Sequence, residues 1–426
     1  MSFEKQIVSC PEAGESCIYA THSSGLKVYI SEKKNFAANY AVFGTRYGSV
    51  DTEFALGDEN MHKTPEGIAH FLEHKLFEGE DGDAFEKYAV TGALANAYTS
   101  FDRTCYLFSC ADRFYENLDI LLSFVTSPYF TPETVNKEQG IIGQEIRMYE
   151  DAPGWRVLFN LFRIMYSNHP VKVEIAGTVS SIAKITDKTL YDCYNTFYDP
   201  SNMFICLCGN FESEKALEMI DDKIKTSDKV QIRRSDFDEP DSVVSNYTEQ
   251  EMMVAMPLFV IGIKDVPVSS EMLAEKKAAT ELLLEMCVGR ISPLYTELLE
   301  KGLINTNFGT EYFYGNSYAA LLFEGESKDP EAVRSAISDE IKRIAESGAD
   351  PELFYDALKK IYGREIRKFN YAEETVDGFI NCAVDGTEPY SDLKVLKTLT
   401  ADDVTARARE LNPKNFALSV IKPPKK

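Results

Sequence analysis

Ile141–Tyr149 reads IIGQEIRMY, and Ile361–Phe369 reads IYGREIRKF, so five of nine residues are identical at an offset of 220. The match is not isolated. KITDKTL with DPSNMFICL returns 213 residues later as KTLTADDV with NPKNFALSV, laying Pro200 and Asn202 over Pro413 and Asn415. At an offset of 212, HFLEH (His70–His74) falls on LLLEM (Leu282–Met286). Three matches in one order at similar offsets indicate an internal duplication. A chain of 426 residues also exceeds one typical core. The reading is two related domains, 1–230 and 251–426, with the polar run that begins at Thr226 supplying a linker over 231–250.

Outward from the repeat, the local patterns mix helix and strand. GLKVYI (Gly25–Ile30) and NYAVFGTRYGSV alternate as strands, and ANAYTSFDRTCYLFSC reads as a strand pair. Pro65–Phe77 takes helical spacing with a proline near its start. Ala84–Ala93 is a helix stopped by Gly92, and helices are expected over 114–125 and 135–149. Asn202–Gly209 is a buried strand.

The chemistry concentrates in HFLEH. The chain has five histidines, and His70 and His74 stand four apart with Glu73 between them. On a helix that spacing puts both imidazoles on one face, about 5–6 Å apart at Cβ, where they can share an ion. Glu73 lies roughly 100° round from His74, beside the ligand stripe, placed to exchange a proton with a water that the metal activates. The order is HxxEH, the reverse of HExxH. At this composition roughly 0.01 such motifs are expected by chance. A catalytic zinc needs a third protein ligand. KEQGIIGQEIRMYE offers Glu138 and Glu145, seven apart and on one helix face. One of the two can ligate while the other orients a histidine, and spacing alone does not choose between them. In the second copy Leu282 and Met286 replace both histidines, so that copy keeps packing residues and loses the metal pair.

Composition narrows the partners. Lys+Arg 45 against Asp+Glu 68 gives a net charge of −23, which disfavours nucleic acid and anionic membranes. Nine scattered cysteines without a CxxC pair read as reduced, buried thiols. No apolar window is long enough to span a membrane, and MSFEKQIVSC lacks the pattern of a secretory leader. A cytoplasmic protein is expected.

With these residues in hand, the chain resembles the pitrilysin–insulinase family of zinc peptidases, which includes mitochondrial processing peptidase. The likeness runs through GIAHFLEHKLFEG, ANAYTSFDRTCYLF, GIIGQEIRMYED, NHPV with IAGT, and FYDPSNM, and is strongest to short two-domain bacterial members. The resemblance implies an α+β fold of two homologous domains, each an antiparallel-rich sheet with helices packed on one face. It implies one Zn2+ per chain held by His70, His74 and Glu145, with Glu73 as the base and Glu138 as the supporting acid. Asn96 and Ala97 match the family's Asn-Ala on an edge strand that receives substrate main chain.

One departure has consequences. Family members that act alone carry an Arg and a Tyr, seven apart, in the second half. The matching positions in LLEKGLIN are Leu298 and Asn305, and the nearby Arg290 and Tyr295 have the wrong spacing. The resemblance then implies a same-fold sister subunit that supplies the pair. Two functions follow: a zinc endopeptidase acting on short or unfolded peptides as the metal-bearing subunit of a heterodimer, or a peptide- or partner-binding subunit without turnover.

Overall fold

The computed structural model describes residues 2–225 and 231–424. The first residues of the expected boundary, 226–230, fall outside the described residues. The chain divides into two compact units: Met1–Ile146 with Glu174–Ser235 and Arg367–Pro389, and Arg147–Val173 with Asp236–Ile366 and Tyr390–Lys426. Each unit is thus built mainly from one copy of the repeat but takes one segment from the other.

In the first unit, seven strands form one sheet: β1 (Phe3–Cys10), β2 (Glu15–His22), β3 (Lys27–Glu32), β4 (Asn39–Thr45), β5 (Leu94–Thr99), β6 (Thr104–Cys110) and β7 (Met203–Gly209). Their order is β1-β2-β3-β7-β4-β6-β5, and every pairing is antiparallel except β3 with β7. Strand alternation sends Ala41 and Phe43 of β4, and Tyr106 and Phe108 of β6, to one face. Helices α1 (Ile68–Leu76), α2 (Phe114–Val125) and α3 (Pro132–Glu150) cover that face through Phe71, Leu72, Leu118, Leu121 and Ile142.

The second unit repeats the plan with five strands: β8 (Tyr247–Glu251), β9 (Leu258–Asp265), β10 (Gly309–Tyr314), β11 (Ala319–Glu326) and β12 (Phe416–Lys422), in the order β8-β12-β9-β11-β10. The parallel pair recurs as β8 with β12. Position for position, this is the first sheet without β1 and β2, as the duplication requires. Helix α4 (Pro153–Met165), the buried helix α5 (Ser270–Val288) and α6 (Pro351–Lys368) belong to this unit. Within the stretch read as linker, 231–250, Ile232–Arg234 pairs with Phe54–Leu56, and Tyr247 opens the edge strand β8. Both strands are short and half solvated, so their composition resembles a loop.

The expectation of helices on one face describes the main helical layer, and each sheet carries one more helix on its other face. In the first unit this is α7 (Ala372–Asp385), whose Phe379 stacks on Tyr29 with centroids 5.9 Å apart. In the second it is α4, which lies so close to β9 that a Cβ on Gly262 would meet Met165 Sδ at 2.4 Å. Each covering helix comes from the opposite copy of the repeat, an exchange that local sequence patterns do not reveal. All nine cysteines are free thiols and eight are buried. Among the described residues no helix is long and apolar enough to cross a membrane.

Candidate metal centre

Helix α1 starts where the chain turns through Gly67, whose φ of 85° is open to glycine at little cost. A Cβ there would also lie 2.4 Å from the Ala176 carbonyl oxygen, so the loop bearing Ile175–Thr178 seats directly on the helix start. Ser181, in the short helix just after that loop, donates its Oγ hydrogen to the Glu66 carbonyl at 2.9 Å. Ile68, Phe71, Leu72 and Leu76 face the core and fix the rotation of the helix. That rotation leaves His70 and His74 on one side with ring centroids 4.6 Å apart.

Helix α3 approaches from the other side. Val135, Ile142 and Ile146 bury its inner stripe, and Glu138 and Glu145 stand on the face turned to the histidines. Glu145 Oε1 lies 3.7 Å from His70 Nε2, and its Oε2 lies 3.6 Å from His74 Nε2. Glu138 Oε1 lies 3.0 Å from the other nitrogen of His74, Nδ1. Glu145 thus stands on the Nε2 side of both rings, and Glu138 on the Nδ1 side of His74. Among the described residues, His70, His74 and Glu145 form the one group of three or more such side chains whose donor atoms converge, all within 4.8 Å of one another.

The electrostatics fit a divalent ion of zinc's preferences. Burial, aided by His74, lowers the His70 pKa to about 3, so its imidazole is neutral at ordinary pH and keeps a lone pair to donate. Burial also opposes charge on His74, but the bond to Glu138 and the nearby Glu73 and Glu145 outweigh it and raise that pKa. A proton held at Nδ1 by Glu138 leaves Nε2 as the donor to a metal. Two imidazole nitrogens and a carboxylate oxygen are a donor set used by catalytic zinc. His70 is 8% exposed, and its Nδ1 is buried without a hydrogen-bond partner, so that side of the ring is held by packing.

Glu73 sits beside this trio. It is buried, and burial raises its carboxyl pKa above the ordinary carboxylate range, which Thr99 and His74 partly counter. Thr99 Oγ1 donates to Glu73 Oε2 at 2.6 Å, tying the carboxylate to the end of β5. No role falls to Thr99 from the motif alone. The available signal was strand alternation, which puts Thr99 on the same face as Ala97, two residues before it. Asn96 and Ala97 lie on β5, which pairs only with β6 among the described residues and so leaves one edge open. Asn96 Oδ1 accepts from Ala97 N at 2.9 Å.

The second copy keeps the acids and lacks the histidines. Glu285 and Glu365 stand at the positions of Glu73 and Glu145. Lys360 Nζ lies 2.5 Å from Glu285, while Arg364 binds Glu281 at 2.7 Å and Glu365 at 3.2 Å. Two side-chain cations thus neutralise acids that were retained through duplication. Leu298 is buried in the core of this unit, and Asn305 Nδ2 donates to Glu326. Neither supplies an arginine or tyrosine function. Tyr295 is buried, and Arg290 donates to the Thr306 carbonyl.

Comparisons with known proteins agree with this geometry. Residues 55–179 match the family model for Insulinase (Peptidase family M16), and residues 184–361 match that for the Peptidase M16 inactive domain. The chain is 40% identical over 399 residues to the uncharacterized zinc protease YmfH of Bacillus subtilis, covering 92% of each. The crystal structure of an M16-like peptidase from Alicyclobacillus acidocaldarius superposes with a TM-score of 0.91 at 33% identity, covering 100% of this chain and 99% of that one. Pitrilysin superposes with a TM-score of 0.77 at 16% identity over 47% of its length, a likeness of fold. The duplicated sheets, the HxxEH helix and these matches together place the chain in peptidase family M16, the insulinase family.

Proposed function

We propose that this protein is a zinc-dependent endopeptidase acting on short or unfolded peptides. The observation that carries the reading is the convergence of His70, His74 and Glu145 donor atoms beside a buried carboxylate, Glu73. When bound, zinc supplies Lewis acidity at the scissile carbonyl and lowers the pKa of water. The chain's own residues do the rest. His70 Nε2, His74 Nε2 and a Glu145 oxygen hold the ion, and Glu138 fixes the His74 ring. Glu73, with Oε2 engaged by Thr99, keeps Oε1 for the proton of the attacking water and returns it to the leaving amine. The open edge of β5 takes the substrate backbone as an added strand.

Leu298 and Asn305 stand where an arginine and a tyrosine would steady the substrate. The reading therefore includes a same-fold sister subunit that supplies them. The same observation favours the second function, a peptide- or partner-binding subunit without turnover.

Zinc content after equilibration and gel filtration is the first test. About one zinc per chain is expected, lost in His74→Ala and kept in Glu73→Gln. Glu73→Gln then abolishes peptide cleavage under the peptidase reading and changes no binding function under the other. A folded wild-type protein that holds no zinc overturns the peptidase reading.

A further inference from the structure

Arg46 and Lys264 hold the same place in the two sheets. Each stands two residues beyond a strand glycine, Gly44 of β4 or Gly262 of β9, and these glycines pair with Phe204 and Ala417 of the neighbouring strands. An asparagine marks each position: Asn202 Nδ2 donates to the Arg46 carbonyl at 3.3 Å, and Asn415 Nδ2 to the Lys264 carbonyl at 3.4 Å. The side chains have different surroundings. Lys264 Nζ lies 2.5 Å from a Glu239 oxygen and donates to the carbonyls of Met165, Pro240 and Ser242. The Arg46 guanidinium donates to the Ser201 carbonyl at 3.0 Å and pairs with no acid among the described residues.

The first unit brings a second cation to this place. Lys27 of β3 pairs with Phe204 of β7, and Phe204 pairs with Gly44, so one row across three strands leads from Lys27 to the strand end that carries Arg46. The Phe204 ring reaches across to Gly44, where a Cβ would meet its Cζ at 2.3 Å. Lys27 makes no side-chain hydrogen bond or ion pair among the described residues. Arg234, also near, is committed to Asp51 at 2.5 Å. In the second copy Asn246 takes the place of Lys27, so that copy has one cation with its acid and the first has two with none. Lys27 and Arg46 are both half-buried. Burial, with the Arg46 charge, lowers the Lys27 pKa. Burial, with the Arg234 charge, lowers that of Arg46, and the Tyr29 and Tyr19 hydroxyls offset this in part. Desolvated charges of one sign cost stability unless an opposite charge meets them.

We propose that Lys27 and Arg46 bind a small carboxylate, which does for this unit what Glu239 does for Lys264. The guanidinium offers a planar fork that the two oxygens of a carboxylate fit, and the ammonium adds a point charge beside it. Two cations favour an acid with two carboxylates, and succinate is the probe. The site uses no residue of the metal centre, so the inference stands apart from the peptidase reading.

Titration calorimetry of the full chain with succinate, at fixed ionic strength, is the test. One saturable site per chain is expected, together with a rise in Tm that sodium chloride of the same ionic strength does not give. Arg46→Gln and Lys27→Gln should each weaken binding about tenfold, the scale of one charge-assisted hydrogen bond. His74→Ala should bind succinate as wild type does, which separates the site from the metal centre. Thr21 pairs with Lys27 across β2 and β3. Thr21→Glu should therefore supply the acid from within, raise the Tm without ligand and abolish the response to succinate. No saturable heat, or equal stabilisation by succinate and sodium chloride, overturns the site. Binding unchanged in Arg46→Gln, Lys27→Gln and Thr21→Glu overturns the assignment to these residues, and tighter binding of inorganic phosphate overturns the carboxylate. Succinate that acts only by breaking an oligomer, seen by sedimentation velocity, overturns the small ligand and gives the cations to an acid of a second copy.

Discussion

Thr99 Oγ1 holds Glu73 Oε2 at 2.6 Å, so the last residue of the edge strand is bonded to the proposed base. A peptide that docks on this strand is placed by the same element that aims the carboxylate. Thr99→Val, which keeps the shape and removes the donor, should lower kcat about tenfold with little change in KM. Thr99→Ser should restore it. Steady-state kinetics on a quenched fluorescent peptide decides, and an equal loss in both variants points to packing instead.

Glu138 and Glu145 have different duties in this geometry. Glu138→Gln should weaken zinc about 10–100-fold, because the His74 ring loses its charged support but the donor atoms remain. Glu145→Ala removes a donor and should cost stoichiometric binding altogether. Competition against a calibrated chelator ranks the two, and the reverse ranking would exchange their roles.

His169 gives the second unit an acid-sensitive element of its own. Its Nδ1 accepts from Val171 N at 3.0 Å, so Nε2 carries the hydrogen that Ser317 Oγ accepts at 2.9 Å. Burial lowers its pKa to about 4. Between the ordinary value near 6.5 and that value, the unfolded chain binds the proton and the folded one does not. The contribution is therefore complete above about pH 6.5 and is lost as pH falls toward 4, amounting to about 3 kcal/mol. Urea unfolding between pH 7.5 and pH 4.5 should show the decline. His169→Gln, less stable at neutral pH, should flatten this part of the curve.

The exchanged helices predict the behaviour of fragments. A chain ending at Ser235 lacks α7 and exposes Tyr29 and Cys206, both buried in the intact protein. Such a fragment should show no sharp thermal transition by circular dichroism. In the full chain, Phe379→Ala should lower stability by about 3–5 kcal/mol. A fragment that melts cooperatively would show that α7 is dispensable.

The part of the candidate site carried by α1 was legible because His70, Glu73 and His74 lie within one helical turn and a half, where sequence spacing is geometry. Glu138 and Glu145 were legible as a pair on one face. Their division of labour depends on how α3 meets α1, which no local pattern encodes. Thr99 was hidden for the same reason: its bond to Glu73 crosses from strand to helix. The duplication was visible in IIGQEIRMY and IYGREIRKF, yet the exchange of α4 and α7 was not, because a helix's apolar stripe does not say which sheet it covers.

That exchange has a bearing on ancestry. A polypeptide comprising one repeat would have had a bare sheet face and a helix to spare, a combination met when two identical chains trade the element. Tandem fusion would turn such a pair into one molecule and release its halves from being the same. One half could then lose its histidines and pair its remaining acids with Lys360 and Arg364 while still lending the other the helix that completes it.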